Sequence, residues 1–318
     1  MRFVLSRSIP ALGAALLLSG CFMADFGDFG PSDRYRTDFH YSWDLAPDGR
    51  VNVEGFNGSI EISGWDENKV DIAGTKFAST EQMRDAVKIE THNSPSSVEV
   101  RAVKPSSRMG NMGVRFVIRV PRQAQLDRIT TSNGSIRVRD VASAAHLKSS
   151  NGSIRVENVG GDLEARTSNS SIELDSIRGN ASLKTSNGRI HAENITGSCD
   201  AETSNSSIKI HLDNAPSSPL RLITSNGSIE LDLEKAPKND IHAETRNSSI
   251  TLRLPASTSA TLTADTSNSS ISSDFEVRTT SRGESRKNHL DGAIGSGGPR
   301  IDLSSSNGHI RIMKGSGN

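Results

Sequence analysis

Apolar and polar residues alternate along most of this chain, and the alternation itself recurs. After Asn151 the apolar or small positions are Ile154, Val156, Val159, Leu163, Ala165 and Thr167. After Asn169 they are Ile172, Leu174, Ile177, Ala181, Leu183 and Thr185, and after Asn187 they are Ile190, Ala192, Ile195, Cys199, Ala201 and Thr203. An i, i+2 spacing is that of a strand with one buried face. Arg155, Glu157, Glu164 and Arg166 fall between the apolar positions and face water. Each repeat therefore predicts two short strands joined by turns. A single repeat has nothing to bury its apolar row against. Stacked repeats do, each adding one strand to each of two parallel sheets at a rise of about 4.8 Å. The predicted fold is all-β, a parallel β-solenoid, with right-handed winding as the default for parallel crossovers.

The repeat is punctuated by one residue, at Asn133, Asn151, Asn169, Asn187, Asn205, Asn226, Asn247, Asn268 and Asn307. The spacing is 18 residues four times, 21 three times, and then 39, which reads as one coil carrying a long insertion. Asn57-Gly58-Ser59-Ile60 is an earlier copy. The residue after Asn is Gly or Ser, so the position asks for a small side chain rather than positive φ. Asn itself tolerates left-handed backbone, and stacked Asn side chains form amide ladders. The Thr or Ser two residues earlier points inward, its hydroxyl placed to satisfy a backbone group. These asparagines read as structural corners. In the later coils "DNAPSSP", "EKAPKND" and "PASTSA" make the opposite corner wider. Cys199 shares an inward slot with Leu163 and Ala181 and reads as a small core residue.

Four segments follow from these patterns. Arg2 and Arg7 precede an apolar run from Ile9 to Leu18, too short to span a bilayer, so residues 1–20 read as a secretory signal. The run ends in Leu18-Ser19-Gly20-Cys21, which resembles a bacterial lipobox and makes Cys21 the expected acylated N-terminus, a lipid anchor carrying fatty-acyl chains of the palmitate type. Phe22 rather than Asp follows it, the outer-membrane sorting pattern if the host has two membranes. Residues 21–38 read as a tether, 39–125 as a β-rich part with one short helix, and 126–318 as the repeat solenoid, continuous with the part before it. The helix is expected over Thr80–Val87, with Ser79 as N-cap and Gln82 as its capping-box partner, covering the end of the stack.

"FNGSIEISGWDENKVDI", "VRFVIRVPRQAQLDRITTSNGSI" and "GAIGSGGPRIDLSSSNGHIRI" together resemble the putative-adhesin family of bacterial β-repeat envelope proteins, over roughly Tyr41 to Lys314. The resemblance implies a repeat fold and an envelope location. It carries no catalytic residues over.

Charge and candidate chemistry narrow the function. Lys plus Arg equals Asp plus Glu at 37 each, and aromatics are 4%. This balance gives no long-range pull toward nucleic acid, so none is expected as a partner. Three residues before each Asn the column reads Lys148, Arg166, Lys184, Glu202, Ile223, Glu244 and Asp265; four after, it reads Arg137, Arg155, Glu173, His191, Lys209 and Glu230. Mixed charges of this kind mark a solvated face. Lys148, Arg166 and Lys184 form a candidate binding stripe for a polysaccharide or another envelope protein. A carbohydrate-active β-helix, a lyase or hydrolase, is the alternative; it needs carboxylates or basic residues clustered on neighbouring coils, and no carboxylate cluster on one face is expected from this sequence. His191 and His211 fall in different columns, so no paired-histidine metal site is expected, and no cofactor. The Asn corner holds no nucleophile with a base beside it. Gly292–Gly298 lacks the Lys-Ser/Thr of a phosphate loop and reads as the loop entering the last coil. The sequence-based expectation is a non-enzymatic, membrane-anchored envelope lipoprotein presenting a rigid solenoid for binding, adhesion or scaffolding.

Overall fold

The computed structural model describes residues 34–106, 110–278 and 287–315. The signal segment, Cys21 and most of the tether lie outside them. The described chain is all-β apart from one short helix, with strands in a 13-stranded and a 14-stranded sheet. No helix among the described residues is long and apolar enough to cross a membrane.

We name each coil by its corner Asn. In the Asn151 coil, strand Ala145–Lys148 leads through the corner to Ile154–Val159; in the Asn169 coil, Leu163–Arg166 leads to Ile172–Ile177. Each strand pairs in parallel and in register with its counterparts one coil on. Inward residues therefore stack on their equivalents. Ile136, Ile154, Ile172, Ile190, Ile208, Ile229, Ile250 and Ile310 form one column, each at most 1% exposed. Burying each such side chain contributes about 1.5–3 kcal/mol. Cys199 takes its place in the opposite row between Ala181 and Leu220, 1% exposed, and burial pushes its thiol up to about 12.

Left-handed backbone does occur, at the other corner. Among the described residues the positive φ angles outside glycine are at Asp140, Asn158, Ser176 and Asn194, between 54° and 61°. Each stands just before the last inward residue of its strand. None of the repeated corner asparagines is among them, so the reading that they are kept for left-handed backbone is wrong. The wider proline-bearing links replace the second corner from the Asn205 coil onward.

The ends depart from a simple stack. One sheet runs, by strand, Ile229–Leu233, Ile250–Leu254, Ile310–Lys314, Ile271–Ser273; the other runs Ile241–Thr245, Arg300–Ser305, Ala260–Thr266 and then His289–Ile294 and Val277–Arg278. The sequence-last Asn307 coil thus lies between the Asn247 and Asn268 coils. The 39-residue gap is therefore not an insertion within one coil. The Gly292–Gly298 loop does lead into the sequence-last coil, but that coil is interior. The other end repeats the device. The Asn57 coil, made by Arg50–Glu54 and Ile60–Trp65, sits inside a coil made by Ser97–Val103 and Met112–Pro121.

Neither sheet is parallel throughout. Tyr35–Asp44, Lys69–Ala78 and Lys88–Ser94 pair antiparallel beyond the first coils, and His289–Ile294 does so beyond Ala260–Thr266. Tyr35–Asp44 brings Phe39, Tyr41 and Trp43 over the end of the core. Tyr41 stacks on Trp43 with ring centroids 5.2 Å apart, and Phe39 meets Phe116 edge-on. The helix spans Glu81–Ala86 and packs on the three end strands of one sheet. Its N-cap is Thr80, whose Oγ1 accepts from the Met83 N–H at 3.3 Å. Ser79 lies one residue before the cap with its Oγ on Met83 Sδ at 3.4 Å, and its backbone N–H is held by the Asn111 carbonyl rather than by Gln82, so the expected capping box does not form.

Candidate functional site

Each corner Asn donates Nδ2–H to the Oδ1 of another, one coil away, at 2.6–2.8 Å. The order is Asn57, Asn133, Asn151, Asn169, Asn187, Asn205, Asn226, Asn247, Asn307, Asn268. Asn57 closes one end by donating to the Met112 carbonyl at 2.8 Å. Beneath this ladder runs a second one. The inward Thr or Ser hydroxyl of each corner donates to the carbonyl of the residue after Asn one coil back, as Thr185 does to Ser170 at 3.1 Å and Thr203 to Gly188 at 3.0 Å.

The Gly and Ser corners are not interchangeable. In stack order the residue after Asn is Gly58, Gly134, Gly152, Ser170, Gly188, Ser206, Gly227, Ser248, Gly308, Ser269. A Cβ on Gly188 would fall 1.6 Å from the Ser170 carbonyl oxygen, and one on Gly308 would fall 1.5 Å from that of Ser248. These glycines also turn their N–H inward to the corner hydroxyl, Gly188 to Thr185 at 3.2 Å and Gly308 to Ser305 at 2.8 Å. Smallness alone does not describe the position. Every Ser corner is seated on a Gly corner.

The outward columns carry the charge. Lys148, Arg166 and Lys184 stand side by side on successive coils, with Thr130 before them and Glu202 after. Arg166 pairs with Glu164 at 2.6 Å and Lys184 with Glu202 at 2.9 Å. On the other sheet Arg155 grips Glu173 one coil on, and the guanidinium holds that carboxyl below its ordinary value.

Six residues after the corner Asn is a column the sequence reading passed over: Glu157, Asp175, Glu193, His211, Asp232 and Arg253, all in register. Carboxylates are therefore clustered on neighbouring coils after all. They line an open sheet face. A hollow of about 280 Å³ opens on it, lined by Glu193, His211, Asp232 and Arg253 of this column together with His191 and Lys209. His191 and His211 lie in different columns, His191 beside Lys209 and His211 beside Glu193. His211 instead faces acids: Nε2 is 3.1 Å from Asp213 and 3.7 Å from Glu234, and Nδ1 is 3.8 Å from Asp232.

A nucleophile beside a base also occurs, at the far end. Ser270 Oγ lies 2.9 Å from His309 Nδ1 and Ser272 Oγ 3.1 Å from Nε2. The sequence hid this contact because it depends on the Asn268 coil stacking on the Asn307 coil. Both ring nitrogens are engaged by hydroxyls, so one serine donates and the other accepts.

Stacked two-strand coils, corner ladders and open charged faces define an all-β repeat protein. The chain belongs to the Toastrack DUF4097 family, whose profile matches residues 51–313. Among solved structures it is similar to a putative adhesin from Bacteroides fragilis NCTC 9343 (11% identity, 87% of this chain and 97% of that one, TM-score 0.41). It is also similar to a putative adhesin from Parabacteroides distasonis ATCC 8503 (9%, 87% and 97%, TM-score 0.36). A third is a putative cell adhesion protein from Clostridium sporogenes ATCC 15579 (12%, 88% and 100%, TM-score 0.20). No curated protein matches the chain.

Proposed function

We propose that this chain is a non-catalytic lipoprotein of the cell envelope, anchored through acylated Cys21, in the outer membrane where the host has two. Its right-handed solenoid serves as a rigid rod for binding or adhesion, with the repeated asparagines as structural corners. The observation that carries this reading is the in-register stack. It turns each outward position into a row of side chains at one-coil spacing, which suits weak contacts repeated along a polymer or a partner protein. The first candidate contact is the row Lys148, Arg166 and Lys184. Its capacity for anions is concentrated at Lys148, because Arg166 and Lys184 are already drawn to Glu164 and Glu202.

The carbohydrate-active alternative has the Glu157, Asp175 and Glu193 row in its favour. Of that row only Glu193 lines the hollow, so the carboxylates are not gathered in one enclosure around a reacting sugar, and we therefore favour binding. Replacing Lys148, Arg166 and Lys184 together with Ser is expected to leave the fold intact and to weaken polysaccharide or cell-surface binding in a salt-dependent way. Unchanged binding moves the contact to another face. Intact mass of the purified protein tests the anchor: a mature chain without acyl mass on Cys21 removes it. Depolymerisation of a polysaccharide by the purified chain would overturn the non-enzymatic reading.

A further inference from the structure

We propose that His211, Asp213 and Glu234 form a binding site for a divalent transition-metal ion of the zinc class. One ligand atom from each lies within 4.8 Å of the others. Asp213 Oδ1 and Glu234 Oε1 stand 3.1 Å and 3.7 Å from the same ring nitrogen, His211 Nε2. Ligands held tetrahedrally at about 2.0–2.1 Å from a zinc ion are themselves about 3.4 Å apart, so the two separations bracket the required value.

The other histidines provide the comparison. His191, His289 and His40 each meet one carboxylate, and His242 meets Asp302 and Glu244 on different nitrogens. Among the described residues, His211 alone has two carboxylates at one nitrogen. Its second nitrogen, Nδ1, lies 3.8 Å from Asp232, one coil on, an ion-pair separation longer than a hydrogen bond. A carboxylate behind a ligating imidazole fixes its tautomer and raises its basicity, as is usual at such sites.

The fold explains the convergence. Strands Ile208–Leu212 and Ile229–Leu233 are paired in register, and Asp213 and Glu234 follow them where the coils begin to widen. The Glu234 N–H is fixed on the Leu212 carbonyl at 3.0 Å, and the Asp213 N–H on Asn194 Oδ1 at 3.4 Å. The site therefore ties two neighbouring coils. Asp213 and Glu234 are half-exposed or more, which leaves a fourth position toward solvent. Imidazole with carboxylates selects zinc-class ions over Ca²⁺ and Mg²⁺, which prefer oxygen alone.

The test is Co²⁺ titration of the full chain, solubilised in detergent and free of any affinity tag, followed by visible absorption. One equivalent is expected to give the intense bands of low-coordinate cobalt, displaced by Zn²⁺ and not by excess Ca²⁺. His211→Ala and Glu234→Gln should abolish the bands with the circular dichroism spectrum unchanged. Asp232→Asn should weaken binding about tenfold. His191→Ala, on the adjacent coil, should bind like the parent. Absence of bands at one equivalent, bands retained in His211→Ala, or bands lost in His191→Ala would each overturn the assignment.

Discussion

Asn187 shows how one side chain is used twice in a stacked corner. It donates to Asn169 at 2.8 Å and accepts from Asn205 at 2.7 Å, so its removal leaves one partner without an acceptor and the other without a donor. Asn187→Ala is expected to cost about 1–3 kcal/mol. Arg189→Ala, exposed and outside the ladder, is expected to cost within about 0.5 kcal/mol. Chemical denaturation of the two variants checks this, and equal midpoints would count against the ladder. The recurrence of Asn was legible in the sequence; its backbone conformation was not. Left-handed φ fell on Asp140, Asn158, Ser176 and Asn194, three of them Asp or Asn, the types enriched in that region, and one of them Ser, which is not.

At the scale of strands, local alternation predicted the inward rows, because burial on one face imposes period 2 wherever a strand stands. Which outward residues meet depends on register across coils, and counting from the corner Asn already set them side by side in columns; what it did not give is which neighbours form an ion pair. Arg155 and Glu173 are such a pair. The hydrogen bond from Arg155 holds the Glu173 carboxyl below its ordinary value, so the unfolded chain binds that proton more readily than the folded one. The contribution is thus present above the unfolded value and is lost as pH falls through the lower, folded one. With both side chains partly exposed, solvent screening limits it to about 0.5 kcal/mol. Glu173→Gln should therefore lower the urea midpoint slightly near neutral pH and leave it unchanged near pH 3. A difference that persists in acid would mean that the pair acts through packing instead. The acidic column around His211 was missed for a related reason: metal ligands were sought as stacked histidines, whereas the carboxylates come from a strand end and from the coil beyond. The helix was placed correctly to within a residue at each end, and its cap was misassigned because Ser79 and Thr80 are both capping types.

For the whole molecule, the order of the coils is the feature that period alone does not encode, although the corner residues record it. In sequence, Ser248 is followed by Ser269, two Ser corners in succession; in space, Gly308 stands between them. The last twenty residues, 299–318, therefore supply the coil on which both neighbours depend. Without it the Asn268 coil would have to seat Ser269 directly on Ser248, a corner pair that occurs nowhere among the described coils. An internal deletion has the opposite character. Removing residues 170–205, two 18-residue repeats, joins Asn169 to Ser206 and keeps Gly152 beneath a Ser corner. Strand Ile208–Leu212 then meets Ile154–Val159 with inward residues still on inward residues. In a solenoid, stability is close to a sum of repeat and neighbour contributions, so this chain loses two units and keeps every interface type. The larger internal deletion is thus expected to unfold in one cooperative transition a few degrees below the parent. The smaller terminal truncation is expected to lose cooperativity and to unfold earlier, from its C-terminal end. Scanning calorimetry of the two chains decides between them, and a truncated chain at least as stable as the internally deleted one would show that the final coil is not a keystone of the stack.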